Sequence, residues 1–261
     1  MVTPKIQSVE RAFSILNCLV GAGGIGSLPA MAKRCGLSVA TTHRLLSTLE
    51  GLGAVIHAAP GEYRIGTTLF RLTESSSRDK VFAAASEVNL RHICKNICET
   101  AHFGILGSDF MVTYLAKAAR HEQFPPTVIG SQLEAYCSGL GKVLLAALPD
   151  KQKANYLSEG PFVALTSKTI TDPNCLMKEL NLVATRGYAV DDCEMFEALR
   201  CVAVPVMDAS GKIVAALSAS SDPSRMPEDG IPEVARALTE HARAISSRLY
   251  PSKFEYLSGS A

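Results

Sequence analysis

The chain has 261 residues, 47% of them hydrophobic and 20% charged, and a formal net charge of +1. That length holds one large domain or two small ones with ordinary cores. It contains no apolar run of transmembrane length, and "MVTPKIQSVERAF" lacks the basic-then-apolar layout of a signal peptide, so a cytoplasmic, non-membrane protein is expected. The eight cysteines include no CxxC pair, which in that compartment reads as buried, reduced thiols. Charge is unevenly spread: residues 1–78 carry eight Lys/Arg against four Asp/Glu, and the remainder 18 against 21. A small basic part on an acidic body is compatible with a polyanion as partner.

In chain order, residues 9–20 place Val9, Ala12, Phe13, Leu16, Leu19 and Val20 at helical spacing, and "GAGGIG" ends that helix. "SLPAMAKRCGLSVATTHRLLSTLEGLGAV" then predicts two helices. Ser27 caps the first, with Pro29 in its first turn; Gly36 makes the turn, and Ser38 caps a second helix running to about Glu50. Two helices joined by a short glycine turn form a helix-turn-helix. On the second helix Thr42, Leu45, Leu46, Leu49 and Leu52 share one side, while Ala40, His43, Arg44 and Ser47 share the other with Thr41 at its edge. Short side chains near the start, with hydrogen-bonding and cationic ones beyond, suit a helix in a major groove. The alternative is a two-helix hairpin with a solvated polar face. "AVIHAAPGEYRIG" predicts a hairpin, Val55 to Ala58 and Glu62 to Ile65, which makes the motif winged and brings Arg64 toward a phosphate. His57 on this hairpin reads as a surface histidine. "TTLFRL" begins a linker helix and "TESSSRDK" a polar hinge, giving domains of 1–72 and 80–261.

Lys80 to about Glu99 predicts an amphipathic helix, with Cys94, Cys98 and His102 along one face; core packing is favoured there over a metal, whose fourth ligand is not evident. "AHFGILGSDFMVTYLAKA" predicts a hairpin turning at Gly107-Ser108-Asp109. "AYCSGLGKVLLAALP" resembles a phosphate-binding loop but fails its spacing: Tyr136 stands where the first glycine belongs and Val143 where the Ser or Thr belongs. What remains is a glycine turn whose helix amides suit a carboxylate as well as a phosphate; a turn with no ligand is the alternative. A helix over Pro173 to Arg186, a short strand at "YAVDDCEMF", a hairpin turning at Asp208 to Gly211 and a last helix from about Pro232 to Leu249 complete an α+β domain of antiparallel strands with helices.

The ordered motifs "SVERAFSILNCL", "LSVATTHRLLSTLEGLG", "YRIG", "SGLGKVLLA", "TITDP", "RGYAVDDCE" and "LRCVAVPVMDASGKIVAALSASS" resemble the isocitrate lyase regulator (IclR) family of bacterial transcription factors over almost the whole chain. The resemblance implies an α+β fold: an N-terminal winged helix-turn-helix and a C-terminal GAF-like effector-binding domain. It also implies homodimers, often dimers of dimers, on palindromic operator DNA near catabolic genes, with no cofactor or metal and no membrane association. DNA contacts are expected from Ser38, Ala40, Thr41, His43, Arg44, Ser47 and Arg64. Family members commonly begin the recognition helix with Pro, Lys and Ser where this chain has Ser38, Val39 and Ala40, which removes a phosphate contact and makes the operator sequence non-transferable.

For the C-terminal domain the resemblance implies a small carboxylate effector, aliphatic or aromatic. The amides of Ser138, Gly139 and Leu140 receive it, Asp191, Cys201, Ser218 and Ser220 supply polar lining, and Leu199, Phe124 and Pro125 the apolar wall. Ser218 and Ser220, two apart on a strand, face one side. An ionised Asp191 would repel a carboxylate, so it either binds a hydroxyl or carbonyl group or is protonated; bracing a loop is its structural alternative. Residues 121–136 depart from the family pattern. The competing reading is a hydrolase using Cys201 or Ser218 with His102 or His92 nearby; it lacks a GxSxG elbow, and a non-enzymatic regulator is expected.

Overall fold

The computed structural model describes residues 5–74, 77–120 and 127–251. The chain divides between Ser77 and Arg78 into two compact units. The first contains α1 (Gln7–Gly21), β1 (Ile25–Ser27), α2 (Leu28–Cys35), α3 (Val39–Gly51), β2 (Val55–Ala59), β3 (Glu62–Ile65) and α4 (Thr67–Thr73). The caps lie where the sequence placed them. Ser27 Oγ accepts from the Ala30 amide at 3.4 Å, Gly36 takes φ 63°, and Ser38 Oγ accepts from the Thr41 amide at 3.2 Å. Ile15, Leu19, Met31, Leu46, Val55 and Tyr63 build the core between the three helices and the wing. The wing has three strands, in the order β1-β3-β2, rather than two. β1, with Ile25 opposite Arg64 and Ser27 opposite Glu62, was not expected: three residues beside a glycine run carry no alternating pattern. Leu52 was expected on the buried side but follows the last turn of α3 and is exposed.

The second unit contains α5 (Arg78–Asn96), β4 (Thr100–Leu106), β5 (Val112–Ala119), β6 (Gln132–Leu133), α6 (Gly139–Ala146), α7 (Asp150–Leu157), α8 (Pro173–Arg186), β7 (Ala189–Asp192), β8 (Arg200–Met207), β9 (Ile213–Ser221) and α9 (Ile231–Leu249). All strand pairs are antiparallel, in the order β6-β5-β4-β9-β8-β7. The strands alternate between two covered faces. Phe103, Val202, Val204, Leu217 and Ala219 meet Leu90 and Ile93 of α5 and Leu238 and Ile245 of α9. The opposite parity, Ala189, Ala203 and Ala216, meets α6 and α8 through Leu140, Val143, Leu144, Leu176 and Leu180.

Three expectations are corrected. The helix from Lys80 stops at Asn96 rather than Glu99, so Cys98 lies beyond it. Cys94 and Cys98 join the α5/α9 face, whereas His102 falls on the opposite face of β4, and no group of three metal-binding side chains occurs among the described residues. α6 ends at Ala146, not Leu148, and α7 follows at once; "DKQKANYL" is too polar to show a stripe. Among the described residues no helix is long and apolar enough to cross a membrane.

α6 presses so closely on its surroundings that its second glycine is obligatory. A Cβ on Gly141 would lie 2.2 Å from the carbonyl oxygen of Ala135 and 2.3 Å from its Cα, both backbone atoms. Gly141→Ala is expected to destabilise the second unit by about 3 kcal/mol, since backbone must shift to admit the methyl. Urea unfolding followed by circular dichroism measures it.

Candidate functional site

The recognition surface comes first in the chain. Capping puts the start of α3 into solvent, and Ser38, Ala40, His43, Arg44 and Ser47 are exposed there, with Thr41 half-buried at the edge. Thr42 turns inward and its hydroxyl donates to the Ser38 carbonyl at 3.0 Å. Two of the expected DNA contacts are partly engaged inside the helix end: Ser38 Oγ, besides capping, donates to Thr41 Oγ1 at 2.9 Å. Arg64 on β3 is paired with Glu62, its Nε and Nη2 at 3.2 and 3.1 Å from one carboxylate oxygen. Both partners are exposed, so the pair is weak and exchangeable for a phosphate. His57 stacks on Tyr63 with ring centroids 4.5 Å apart.

The second site lies where α6 begins. Ser138 Oγ donates to the Glu134 carbonyl at 2.8 Å and accepts from the Gly141 amide at 3.1 Å, while the Ser138 carbonyl takes the Lys142 amide at 2.9 Å. The Gly139 and Leu140 amides are left as the first-turn donors of the helix, at its positive end. Gly139 sits over β8: a Cβ there would be 3.0 Å from Cys201 Sγ and 3.3 Å from Ala203 Cβ. Beneath it the sheet presents two registered rows. Asp191, Cys201, Ser220 and Thr100 are successive partners across β7, β8, β9 and β4; Ala189, Ala203, Ser218 and His102 form the next row.

These elements enclose a cleft. Its floor is Asp191, Cys201, Ser218, Ser220, His102 and Tyr114; Ser138, Gly139 and Leu140 form one wall, and Leu133, Met195, Phe196 and Leu199 close the outer side. All the expected lining residues among those described converge there. Phe124 and Pro125 lie outside the described residues. His102 as a lining residue, Tyr114, Leu133, Met195 and Phe196 were missed; His102 and Tyr114 become legible only once the β4–β5 hairpin is placed beside β9. The enclosed space is about 20 Å³, room for roughly one water molecule.

Asp191 has two roles. Its carboxylate lines the cleft, and Oδ1 accepts the amides of Glu194 at 2.7 Å and Met195 at 3.3 Å, bracing the segment 193–199 that closes the outer side. Burial raises its pKa to about 7 against the lowering effect of those amides, so it titrates near neutrality. Thr166 and Thr169 hold the same segment, their hydroxyls donating to the carbonyls of Cys193 at 2.7 Å and Glu194 at 2.6 Å.

The lysine of the GxGK stretch does not line the cleft. Lys142, 1% exposed, donates to the Val190 carbonyl at 2.8 Å and to Glu194 Oε1, with Glu179 Oε1 at 3.8 Å. Glu194 Oε2 is buried and has no hydrogen-bond partner among the described residues. The lysine therefore ties α6 to the closing segment instead of holding a phosphate.

Neither His102 nor Cys201 is poised for the hydrolase reading of this cleft. His102 stands opposite Ser218, but burial, aided by the Lys117 charge, pushes its pKa down to about 3, too low for a general base near neutral pH. Burial, with Asp191 second, pushes the Cys201 thiol up to about 12, so it stays protonated. His92 is exposed on α5 and does not line the cleft. Lys142→Met should cost about 3–5 kcal/mol, because it leaves the Glu194 carboxylate buried and alone; Lys142→Met with Glu194→Met should recover much of the loss. Denaturant midpoints of the three proteins decide it, and a single variant as stable as the double would contradict the pairing.

Residues 75–247 match the family model for the bacterial transcriptional regulator IclR C-terminal, and residues 8–56 that for the IclR helix-turn-helix domain. The HTH-type transcriptional regulator BhcR of Paracoccus denitrificans is 32% identical over 253 residues, covering 95% of this chain and 89% of that protein. The crystal structure of the Thermotoga maritima IclR superposes with a TM-score of 0.61 at 30% identity, covering 94% of this chain and 99% of the other. An IclR homologue from Microbacterium hydrocarbonoxydans shares the fold with a TM-score of 0.61 at 21% identity, over 93% and 98% of the two chains. With the two family models matched in order along the chain and a relative 32% identical over 95% of it, the chain belongs to the IclR family of transcriptional regulators.

Proposed function

We propose that this regulator acts in the cytoplasm as a homodimer or pair of dimers on palindromic operator DNA, reading bases through α3. In this reading, a small carboxylate bound at the start of α6 alters its operator affinity and so controls catabolic genes. The observation that carries the effector part is the convergence of the Gly139 and Leu140 amides with Ser138, Cys201, Ser218 and Ser220 around one cleft. Amides at a helix start bind anions through their N–H groups and the helix dipole. A carboxylate does not fit in about 20 Å³, so its entry moves the segment carrying Met195, Phe196 and Leu199 outward. That segment is braced by Asp191, which couples occupancy of the cleft to the loop's position. The effector acts only through the difference in its affinity for the DNA-competent and incompetent states.

Fluorescence anisotropy on DNA flanking the protein's own gene, at fixed salt, tests this with a panel of carboxylates. The panel includes 4-hydroxybenzoate, with which the Microbacterium hydrocarbonoxydans homologue was crystallised. One carboxylate should change operator affinity fivefold or more, within the usual range of allosteric coupling. The Ser218→Ala, Ser220→Ala double variant should lose that response and keep operator binding. Sequence-blind binding with a steep salt dependence and no response to any acid would refute the proposal.

The same cleft predicts a pH dependence. Asp191 must be protonated, or must become so, when an anion binds beside it, so effector affinity should fall up to about tenfold per unit as pH rises above about 7. His102 is neutral throughout this range, Cys201 titrates at about 12, the buried Tyr114 hydroxyl is pushed upward, and Glu194, raised by burial, is held by Lys142. Asp191→Asn should flatten the profile while keeping the carbonyl oxygen that braces the loop. Isothermal titration between pH 6 and 9 reads it, and an unchanged profile in the variant would assign the dependence elsewhere.

A further inference from the structure

The cleft has two ends, and only one is built for a charge. Gly139 lies over β8, whereas His102 lies on β4, two strands away across β9. At the usual spacing of strands this is roughly 10 Å, so a ligand whose carboxylate meets the α6 amides points its other end along the sheet toward His102. The His102 ring is 2% exposed, tilted against the Tyr114 ring at 4.5 Å between centroids, with Nε2 2.8 Å from Thr127 Oγ1. Burial keeps the ring neutral at any physiological pH, and a neutral imidazole offers one N–H and one lone pair but no charge.

The surroundings reinforce this. No Lys or Arg side chain lines the cleft among the described residues, and its ionisable carboxyl, Asp191, lies on the far side of β8 from His102. Lys117, the next residue in the row beyond His102, directs Nζ to the Thr127 carbonyl at 3.1 Å and is not part of the lining. A second carboxylate brought to this end would be buried without a cation lining the cleft. An alkyl end would set carbon against Nδ1, the ring nitrogen that Thr127 does not engage. Both arrangements are unfavourable in a desolvated site.

We propose that His102 is the specificity-determining residue of the cleft: it pairs with an uncharged hydroxyl or oxo group at the end of the effector remote from the carboxylate, and it excludes dicarboxylates. This rests on the reading of the cleft as a carboxylate site. Sites that hydrogen-bond a ligand hydroxyl discriminate strongly against analogues that lack it, because their own polar groups are then left unpaired.

Two matched sets of acids test it by isothermal titration on the full chain: butyrate, 4-hydroxybutyrate and succinate, then benzoate, 4-hydroxybenzoate and terephthalate. In at least one set the hydroxy acid should bind ten times or more tightly than both companions. His102→Phe should erase its advantage over the unsubstituted acid, and His102→Gln, which keeps a neutral donor and acceptor, should restore part of it. Thermal midpoints and operator binding are measured for both variants, and His102→Gln carries the test if the phenylalanine variant misfolds. A dicarboxylate that binds as tightly as the hydroxy acid, or a ranking untouched in the folded variants, overturns the role of His102 and leaves the carboxylate site standing. If none of the six acids binds while operator DNA still does, the carboxylate reading falls and this inference with it.

Discussion

The close approach of helix α6 to its neighbours is the constraint on which the second unit depends. Gly139 lies where a Cβ would meet Cys201 Sγ at 3.0 Å, and Gly141 lies where one would overlap the Ala135 backbone. Because the helix begins against the sheet instead of in solvent, its first free amides open onto a polar row of strand side chains and not onto water. The same approach buries Lys142 one position after Gly141. A buried ammonium needs a partner, and Glu194 supplies one from the segment that covers the cleft. One packing decision thus fixes the first turn of α6, the floor opposite it and the fastening of its cover.

The cleft is small because that cover is held from several sides: by Lys142, by the Asp191 carboxylate and by the hydroxyls of Thr166 and Thr169. Such a fastening gives a ligand something to work against. A molecule that competes for Asp191 or displaces Met195 and Phe196 exchanges protein contacts for its own, and the difference in free energy between the two loop positions is what could be passed on. The recognition helix belongs to the other compact unit, which the chain joins to this one between α4 and α5.

Local chemistry made much of this legible in the sequence. Ser27 and Ser38 cap the helices they were expected to cap, Asp172 caps α8, and Gly36 and Gly187 end helices with the positive φ that glycine tolerates. The shared parity of Ser218 and Ser220 placed both on the cleft face, and the glycine turn at Ser138 lines the same cleft although its phosphate-loop spacing fails. Elements and contacts set by distant parts of the chain were not legible. β1 exists only because Arg64 and Glu62 offer it a ladder, and α7 because Tyr156 and Leu157 reach a core formed elsewhere. His102 looked like a companion of Cys94 and Cys98 along a helix; a helix that ends about three residues earlier than expected, followed by a strand, puts it on the opposite face of the sheet. Lys142 and Glu194 are 52 residues apart, and no local pattern pairs them.

Amide chemical shifts decide whether the start of α6 receives an anion. The full chain, labelled with nitrogen-15, would be titrated with the carboxylate that changes operator affinity, and the Gly139 and Leu140 resonances followed. Both amides should shift downfield, as donors to an anion do, and reach half their full shift at the concentration that half-changes DNA binding. Saturating shifts confined to other residues, such as those along α9 or α1, with Gly139 and Leu140 unmoved, would contradict it.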